Sequence, residues 1–247
     1  MATLLLLRHG RTTSNANGGL AGHQPVELDE VGRAQAAAVG ARLAGLPLAE
    51  VVCSPLVRCR TTVELALPGT AYTVDERLVE CRYGDWEGQP LKKLTKDPLW
   101  PVVQVHPSAV RFPGENGETM AAMAARGVAA VREWDARVSA EHRPDAVWLA
   151  CSHGDLIKSI VADALGVHLD LFQRIAVDPG SLTAIRYTPM RPFLLRLNDT
   201  GGDLSGLRPA QRRPRRRPAA APRASSPASR AAASDAAVGG GAGTAQG

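Results

Sequence analysis

The sequence contains no uninterrupted apolar run of about 18 or more residues, so it predicts no transmembrane helix. The four leucines at 4–7 are too few for the apolar core of a signal peptide, and residues 1–3 lack the positive charge that precedes such a core. We therefore expect a cytoplasmic protein that has no membrane partner.

Cysteine is also scarce. The four cysteines of the chain are Cys53, Cys59, Cys81 and Cys151, and none of them has the C-x-x-C spacing of zinc or redox sites. We expect reduced thiols that are mostly buried.

Positive charge is concentrated near the C-terminus. The formal net charge is +5, whereas residues 208–247 carry eight arginines and one aspartate, which leaves −2 for residues 1–207. Residues 206–247 contain mainly Ala, Pro, Arg, Ser and Gly, with one leucine and no aromatic residue, so they cannot offset the entropy lost on ordering. The sequence predicts a folded domain over 1–205 and a disordered basic tail over 206–247. The arginine cluster at 212–217 leaves a nucleic-acid contact open, although a solvated tail without a dedicated partner explains it equally well.

Two apolar runs predict strands that are buried on both faces. Residues 4–7 are four leucines followed by Arg8-His9-Gly10, and the run at 145–151 is followed by Ser152-His153-Gly154. Ligands of α/β proteins bind beyond the carboxyl ends of parallel strands. Both histidines should therefore lie at the ligand-binding edge of one sheet.

Predicted strands and helices alternate along the chain, which predicts an α/β fold, a three-layer α/β/α sandwich with a mainly parallel central sheet. Between residues 75 and 116 the periodicity is lost and prolines accumulate, which predicts a long excursion with short helical pieces. We predict helices over 29–46, 56–67, 118–141 and up to residue 165, and further strands over 49–53, 71–74, 172–178, 182–187 and 193–197. The last of these is an edge strand, and pairing with a second subunit in a homodimer stays open.

Four ordered motifs resemble those of the histidine phosphatase superfamily, the phosphoglycerate mutase-like family. They are R-H-G-x-T-x-x-N at 8–15, S-P-L-x-R-x-x-x-T at 54–62, L-x-E-x-x-x-G-x-W-E-G at 78–88 and S-H-G at 152–154, with a weaker G-E-T at 117–119. The resemblance covers about residues 3–200. It implies a phosphatase that uses no metal and no cofactor and acts on a small phosphomonoester.

The resemblance also implies a role for six residues. It makes His9 the nucleophile that forms a phosphohistidine, Glu80 the proton donor and His153 a further catalytic group, and it places Arg8, Asn15 and Arg58 in substrate binding. A neutral imidazole is nucleophilic when a carbonyl holds the proton on its other nitrogen. Glu80 needs a raised pKa in order to reach the reaction protonated. Arginines such as Arg8 and Arg58 can bind a phosphate group through two parallel hydrogen bonds.

The motifs leave three alternative functions to consider. A cofactor-dependent phosphoglycerate mutase shares the same motifs, but the short segment after Gly88, which has few basic residues, favours hydrolysis. A non-catalytic module that binds phosphorylated ligands would be expected to lose some of His9, Arg58, Glu80 and His153, and all are present. A cysteine-based phosphatase needs C-x5-R, and Cys53 to Arg58 is one residue short.

Several charged residues lie near the motifs without belonging to the predicted site. We expect Arg11, Arg60 and Arg82 to be surface or supporting charges. We expect His23 to be a solvated loop residue, and a contact of His23 with the substrate stays open. A metal site is not predicted, because the two motif histidines have no clustered carboxylate or thiolate beside them. The leaving-group contacts of the substrate should come from residues 82–116.

Overall fold

Six of the seven predicted strands form one sheet in the computed structural model, which describes residues 2–142 and 145–201. The strands are β1 (Thr3–Arg8), β2 (Leu48–Cys53), β3 (Thr73–Val74), β4 (Val147–Ser152), β5 (Leu182–Arg186) and β6 (Phe193–Asp199), and their order in the sheet is β3-β2-β4-β1-β5-β6. The first four strands of that order are parallel, while β5 and β6 are antiparallel to their neighbours. The predicted mainly parallel sheet is confirmed.

The two strands that precede the histidines are direct neighbours. In the parallel register of β1 and β4, Leu7 lies opposite Cys151 and Arg8 opposite Ser152. His9 and His153 therefore leave the sheet at the same edge and at the same height, because each follows its strand by one residue.

Seven helices, counted over the described residues, surround the sheet. They are α1 (Thr13–Ala16), α2 (Glu30–Leu43), α3 (Val57–Ala66), α4 (Leu91–Leu94), α5 (Trp100–Val105), α6 (Met120–Glu141) and α7 (Gly154–Leu165). The predicted helices correspond to α2, α3, α6 and α7. The excursion contains α4, α5 and three single 3-10 turns, as expected for short helical pieces.

A separate apolar core lies on each face of the sheet, and this completes the three layers. Leu4 and Leu6 of β1 point into the core formed with α6 and α7, whereas Leu7 points into the core formed with α2 and α3. The alternation follows from the two-residue period of a strand. A four-leucine run is explained by a strand that is covered on both faces.

One predicted strand, 172–178, is wrong. A 3-10 helix runs over Leu169–Arg174, and the following residues belong to no strand. The buried apolar residues of this segment are Phe172, Ile175 and Val177, and their spacing does not keep the two-residue alternation of a strand. The His168 side chain accepts a hydrogen bond from the Asp170 amide and begins the turn.

The predicted tail, residues 206–247, lies outside the described residues, and so does the end of the predicted domain at 205. Within the described part of the chain, no helix is long and apolar enough to cross a membrane.

Two glycines bring the loop after β1 against α2. A Cβ on Gly32 would lie 2.0 Å from the Arg11 carbonyl oxygen, and one on Gly10 would lie 2.4 Å from the Gly32 carbonyl oxygen. The N-terminus of α2 is capped by Asp29, whose carboxylate accepts a hydrogen bond from the Gly32 amide at 2.7 Å.

We expect Gly32→Ala to lower the free energy of unfolding by about 1–3 kcal/mol, because a clash with rigid backbone outweighs the gain in helix propensity of roughly 1 kcal/mol. Urea denaturation measures the change. Ala37→Gly, at an exposed position of the same helix, measures how much of the change in the free energy of unfolding comes from helix propensity alone. A Gly32→Ala variant as stable as the parent would contradict the close approach.

Candidate active site

His9 follows β1 directly and is buried, with 4% of its surface exposed. Its amide donates to the Ser152 carbonyl at 3.0 Å, which ties it to the end of β4. Its Nδ1 lies 2.8 Å from the Gly10 carbonyl oxygen, so Nδ1 carries the proton and Nε2 keeps its lone pair. Burial lowers the pKa of His9 well below its usual range, and the charges of Arg58 and Arg8 lower it further. The imidazole is therefore neutral near pH 7.

His153 lies beside His9, with ring centroids 5.2 Å apart. Arg58 Nε donates to its Nδ1 at 3.2 Å, so the ring proton is on Nε2, which pairs with Ser54 Oγ at 2.7 Å. Burial and the Arg58 charge lower the pKa of His153 well below its usual range. Ser54, the first residue of the S-P-L motif, thus fixes the orientation of the second histidine.

Two buried arginines flank the histidines. Arg8 is fully buried and donates from Nη1 to the Val177 carbonyl at 2.6 Å. Arg58 lies in the first turn of α3 and donates from Nη2 to the Gly22 carbonyl at 2.7 Å and from Nη1 to the Gln24 carbonyl at 3.2 Å. The terminal nitrogens of Arg58 therefore hold the loop 18–24 against the site.

Thr62, the last residue of the same motif, connects α3 to the loop that carries His9. Its hydroxyl oxygen accepts a hydrogen bond from the Gly10 amide at 3.0 Å and donates to the Arg58 carbonyl at 2.7 Å. This contact places Arg58 and His9 relative to each other.

Glu80 lies on an irregular segment after a 3-10 turn, and its carboxylate is buried at the N-terminus of α7. The carboxylate accepts weak hydrogen bonds of 3.1–3.3 Å from the amides of Cys81, Asp155 and Leu156. Burial raises the pKa of Glu80 to about 7, and the negative charge of Asp155 adds to the rise. A large fraction of Glu80 is therefore protonated near neutral pH.

Asn15 belongs to the first turn after the R-H-G motif. Its Oδ1 accepts from the amide and the hydroxyl of Thr12, and the Thr12 hydroxyl accepts from the Asn15 amide, which together form a capping box at the start of α1. This geometry gives Asn15 a local structural partner as well as a position on the cavity wall.

The structure brings four of the six predicted residues to one cavity. His9, Asn15, Arg58 and Glu80 line it together with Thr12, Tyr83 and residues 19–22. Arg8 and His153 adjoin these residues without lining the cavity. Its volume is about 20 Å³, which has room for about one water molecule.

Four residues near Glu80 carry no prediction from the sequence. Asp155 accepts from the Tyr83 hydroxyl at 2.8 Å and lies 3.7 Å from Lys158 Nζ, which forms a buried polar cluster. Arg126, on α6, contacts the backbone around Glu80. Asp155 directly follows S-H-G, so its position in the sequence offered a signal, whereas Arg126 carried no motif.

His23 differs from its prediction as a solvated loop residue. Its Nε2 lies 2.7 Å from the Glu80 carbonyl oxygen, and the residue is only partly exposed. The other unassigned charges behave as expected: Arg11 pairs with Asp29, Arg60 is exposed and donates to Tyr72, and Arg82 is exposed.

Known proteins resemble this chain in sequence and in structure. The adenosylcobalamin/alpha-ribazole phosphatase of Salmonella typhimurium is 38% identical over 96 residues, which are 38% of this chain and 48% of that protein. This match spans about half the length of the relative. The probable phosphoglycerate mutase GpmB of Erwinia tasmaniensis is 31% identical over 215 residues, 84% of this chain and 95% of that protein. The solved structure of a mycobacterial glucosyl-3-phosphoglycerate phosphatase in complex with VO3 is 26% identical, covers 80% of this chain and 98% of its own, and superimposes with a TM-score of 0.69.

A family model also matches most of the chain. This family model, described as histidine phosphatase superfamily, branch 1, covers residues 4–200, which include all five motifs. Since that span also holds the sheet and the paired histidines, the chain belongs to the histidine phosphatase superfamily.

Proposed function

We propose that this protein hydrolyses small phosphomonoesters through a phosphohistidine on His9, without a metal ion or cofactor. The observation that carries the proposal is the hydrogen bond between His9 Nδ1 and the Gly10 carbonyl, because it leaves Nε2 unprotonated in a cavity shared with Arg58 and Glu80. Nucleophile, cation and proton donor are the three parts that phosphoryl transfer needs.

In the first step, the lone pair of His9 Nε2 forms a bond to phosphorus while the bond from phosphorus to the leaving oxygen breaks. The carboxyl proton of Glu80 goes to that oxygen, so the product leaves as an alcohol. In the second step, a water oxygen forms a bond to phosphorus and gives a proton to the Glu80 carboxylate, while the bond from phosphorus to His9 Nε2 breaks and its electron pair returns to the nitrogen. Inorganic phosphate leaves, and both residues return to their starting states.

Arg8 and Arg58 supply the positive charge that stabilises the phosphoryl oxygens in this proposal. His153 is neutral in the structure, with both ring nitrogens engaged. In the proposed reaction it donates its Nε2 proton to a phosphoryl oxygen, while Nδ1 keeps the hydrogen bond from Arg58. Because these groups provide the charge, the reaction requires no Lewis acid.

A phosphomutase is the second candidate, because one of the relatives is named a probable phosphoglycerate mutase. The two reactions share the first step and differ in whether water or a second substrate hydroxyl accepts the phosphoryl group. Incubation with 3-phosphoglycerate and trace bisphosphate separates them, since formation of 2-phosphoglycerate faster than phosphate release would favour the mutase.

The test of the proposal is phosphate release from sugar phosphates, phosphoglycerates and p-nitrophenyl phosphate, with and without EDTA. We expect turnover that EDTA does not change and that vanadate inhibits, as the mycobacterial relative was solved with VO3. Tight binding of these compounds without phosphate release would instead support a binding module. Loss of activity in EDTA, restored by added metal, would overturn metal independence.

The pH profile gives a further prediction. We expect kcat/KM for an alkyl phosphate to fall about tenfold per pH unit above a pH of about 7, because Glu80 must be protonated and its pKa lies near 7. His9 adds no loss on the acid side, since its pKa is already well below its usual range. Steady-state kinetics from pH 5 to 9 measure the profile, and Glu80→Gln should lose the alkaline decline. A decline that persists unchanged in this variant would assign it to another group.

A further inference from the structure

The main chain at Glu80 is held by an arginine from a distant helix. Arg126 of α6 donates from Nη2 to the Glu80 carbonyl at 2.9 Å, and from Nη1 to the carbonyls of Val79 at 2.7 Å and Arg77 at 2.8 Å. Three backbone acceptors within four residues thus converge on one guanidinium group.

Glu118 holds that guanidinium from the other side. Its carboxylate accepts from Arg126 Nε at 2.8 Å and from Nη2 at 2.9 Å, a bidentate ion pair that is mostly buried. All five N–H donors of Arg126 therefore have acceptors. A lysine has three donors and no planar fork, so it cannot reproduce this arrangement.

The same glutamate also contacts the chain beyond Glu80. Its amide donates to the Arg82 carbonyl at 2.9 Å, and its carboxylate accepts from the Arg82 amide at 3.2 Å. Together, Arg126 and Glu118 form hydrogen bonds to the backbone on both sides of Glu80. Glu118 is part of the G-E-T motif, whose purpose the sequence did not reveal.

These contacts matter because residues 79–83 belong to no helix or strand. Among the described residues, the Glu80 carboxylate accepts amide hydrogen bonds of 3.1–3.3 Å, and its carbonyl has His23 as a donor partner besides Arg126. A displacement of about 1 Å at a reacting group can lower a rate by about two orders of magnitude. The position of the proton donor therefore depends on the backbone that Arg126 holds.

We propose that Arg126, oriented by Glu118, is a positioning residue that sets the place of the Glu80 carboxyl group for proton transfer to the leaving oxygen. The inference rests on the proposed function, in which Glu80 is that donor. Arg126 lies outside the cavity, and in this proposal its ion pair with Glu118 contributes to catalysis as well as to stability.

Leaving-group dependence tests the assignment. An alkoxide must be protonated as it leaves, whereas p-nitrophenolate is stable without a proton, so only the alkyl substrate needs Glu80 in place. The variants are Arg126→Gln, Arg126→Lys and Glu118→Gln, compared on glycerol phosphate and p-nitrophenyl phosphate. We expect Arg126→Gln to lower the ratio of the two kcat/KM values, alkyl over aryl, by about 10- to 100-fold. Glu118→Gln should lower it by a smaller factor.

Arg132→Gln is the matched control. Arg132 lies on the same helix and pairs with Asp163 at 2.7 Å, in an exposed contact away from Glu80. The Arg132→Gln variant should leave the alkyl-over-aryl ratio of kcat/KM values unchanged. An equal loss on both substrates in the Arg126 and Glu118 variants, or no loss, would mean that the pair is structural and would overturn the assignment. If Arg126→Gln does not fold, Arg126→Lys and Glu118→Gln decide the question.

Glu80→Gln separates this failure from failure of the proposed function. If Glu80→Gln lowers the ratio by about 100-fold or more while the Arg126 variants do not, the proton donor stands and the positioning role falls. If Glu80→Gln leaves the ratio unchanged, Glu80 is not the donor, and the positioning role falls with it. Thermal denaturation of each variant shows whether a loss reflects stability, which would affect both substrates alike.

Discussion

Replacing His9 with alanine is expected to lower kcat by about 10⁴-fold or more, because the step that forms the bond to phosphorus loses its nucleophile. His153 cannot take over this role as it stands, because its Nδ1 is bound to Arg58 and its Nε2 to Ser54. Phosphate release from p-nitrophenyl phosphate measures the loss. His106→Ala is the control, since the His106 side chain is 66% exposed and pairs only loosely with Asp170.

Direct detection of the intermediate completes this test. Wild-type protein mixed with labelled substrate and quenched in alkali should carry acid-labile phosphate on a histidine, and the His9→Ala variant should carry none. His9→Asn retains a similar volume and guards against a folding defect in the alanine variant. Undiminished turnover in either His9 variant, with the fold retained, would assign the nucleophile elsewhere.

Replacing Arg58 with lysine is expected to lower kcat/KM by about 10²- to 10³-fold, even though the charge is kept. One ammonium group cannot donate to His153 Nδ1 and at the same time offer two parallel hydrogen bonds to a phosphoryl group. The loss should appear on both alkyl and aryl substrates, because phosphoryl oxygens are common to both. This pattern differs from the one expected for Arg126.

The neighbouring arginine of the same helix is the control for this substitution. Arg60 is exposed and donates to Tyr72, so Arg60→Lys should leave kcat/KM within a factor of about two. If Arg58→Lys retained full activity, a single point charge at this position would suffice, and bidentate recognition by Arg58 would be excluded.

The sequence predicted the sheet edge because strand endings are local features. A run of leucines followed by Arg8-His9-Gly10 and a second run followed by His153-Gly154 placed two histidines at one edge, and the register of β1 with β4 confirms it. The sequence motifs contain the four predicted residues that line the cavity, namely His9, Asn15, Arg58 and Glu80. Spacing also located the four long helices, since their apolar periods extend over several turns.

The contacts that complete the site could not be predicted in this way. Arg126 lies 46 residues from Glu80, and only the packing of α6 against the chain at residues 77–80 brings them together. The same holds for His23, whose hydrogen bond to the Glu80 carbonyl depends on how the loop 18–24 folds back. Apolar content alone also misled the prediction at 172–178, where three buried side chains come from a 3-10 turn and the irregular chain after it.

The hydrogen bonds from Arg58 to the carbonyls of Gly22 and Gln24 make the loop a competitor of the substrate. In the proposed reaction, the phosphoryl group and these two carbonyls share the N–H groups of one guanidinium, in a space of about one water molecule. If the loop must open to admit the phosphoryl group, the affinity for phosphate is the intrinsic affinity reduced by the fraction of molecules in which the loop is open.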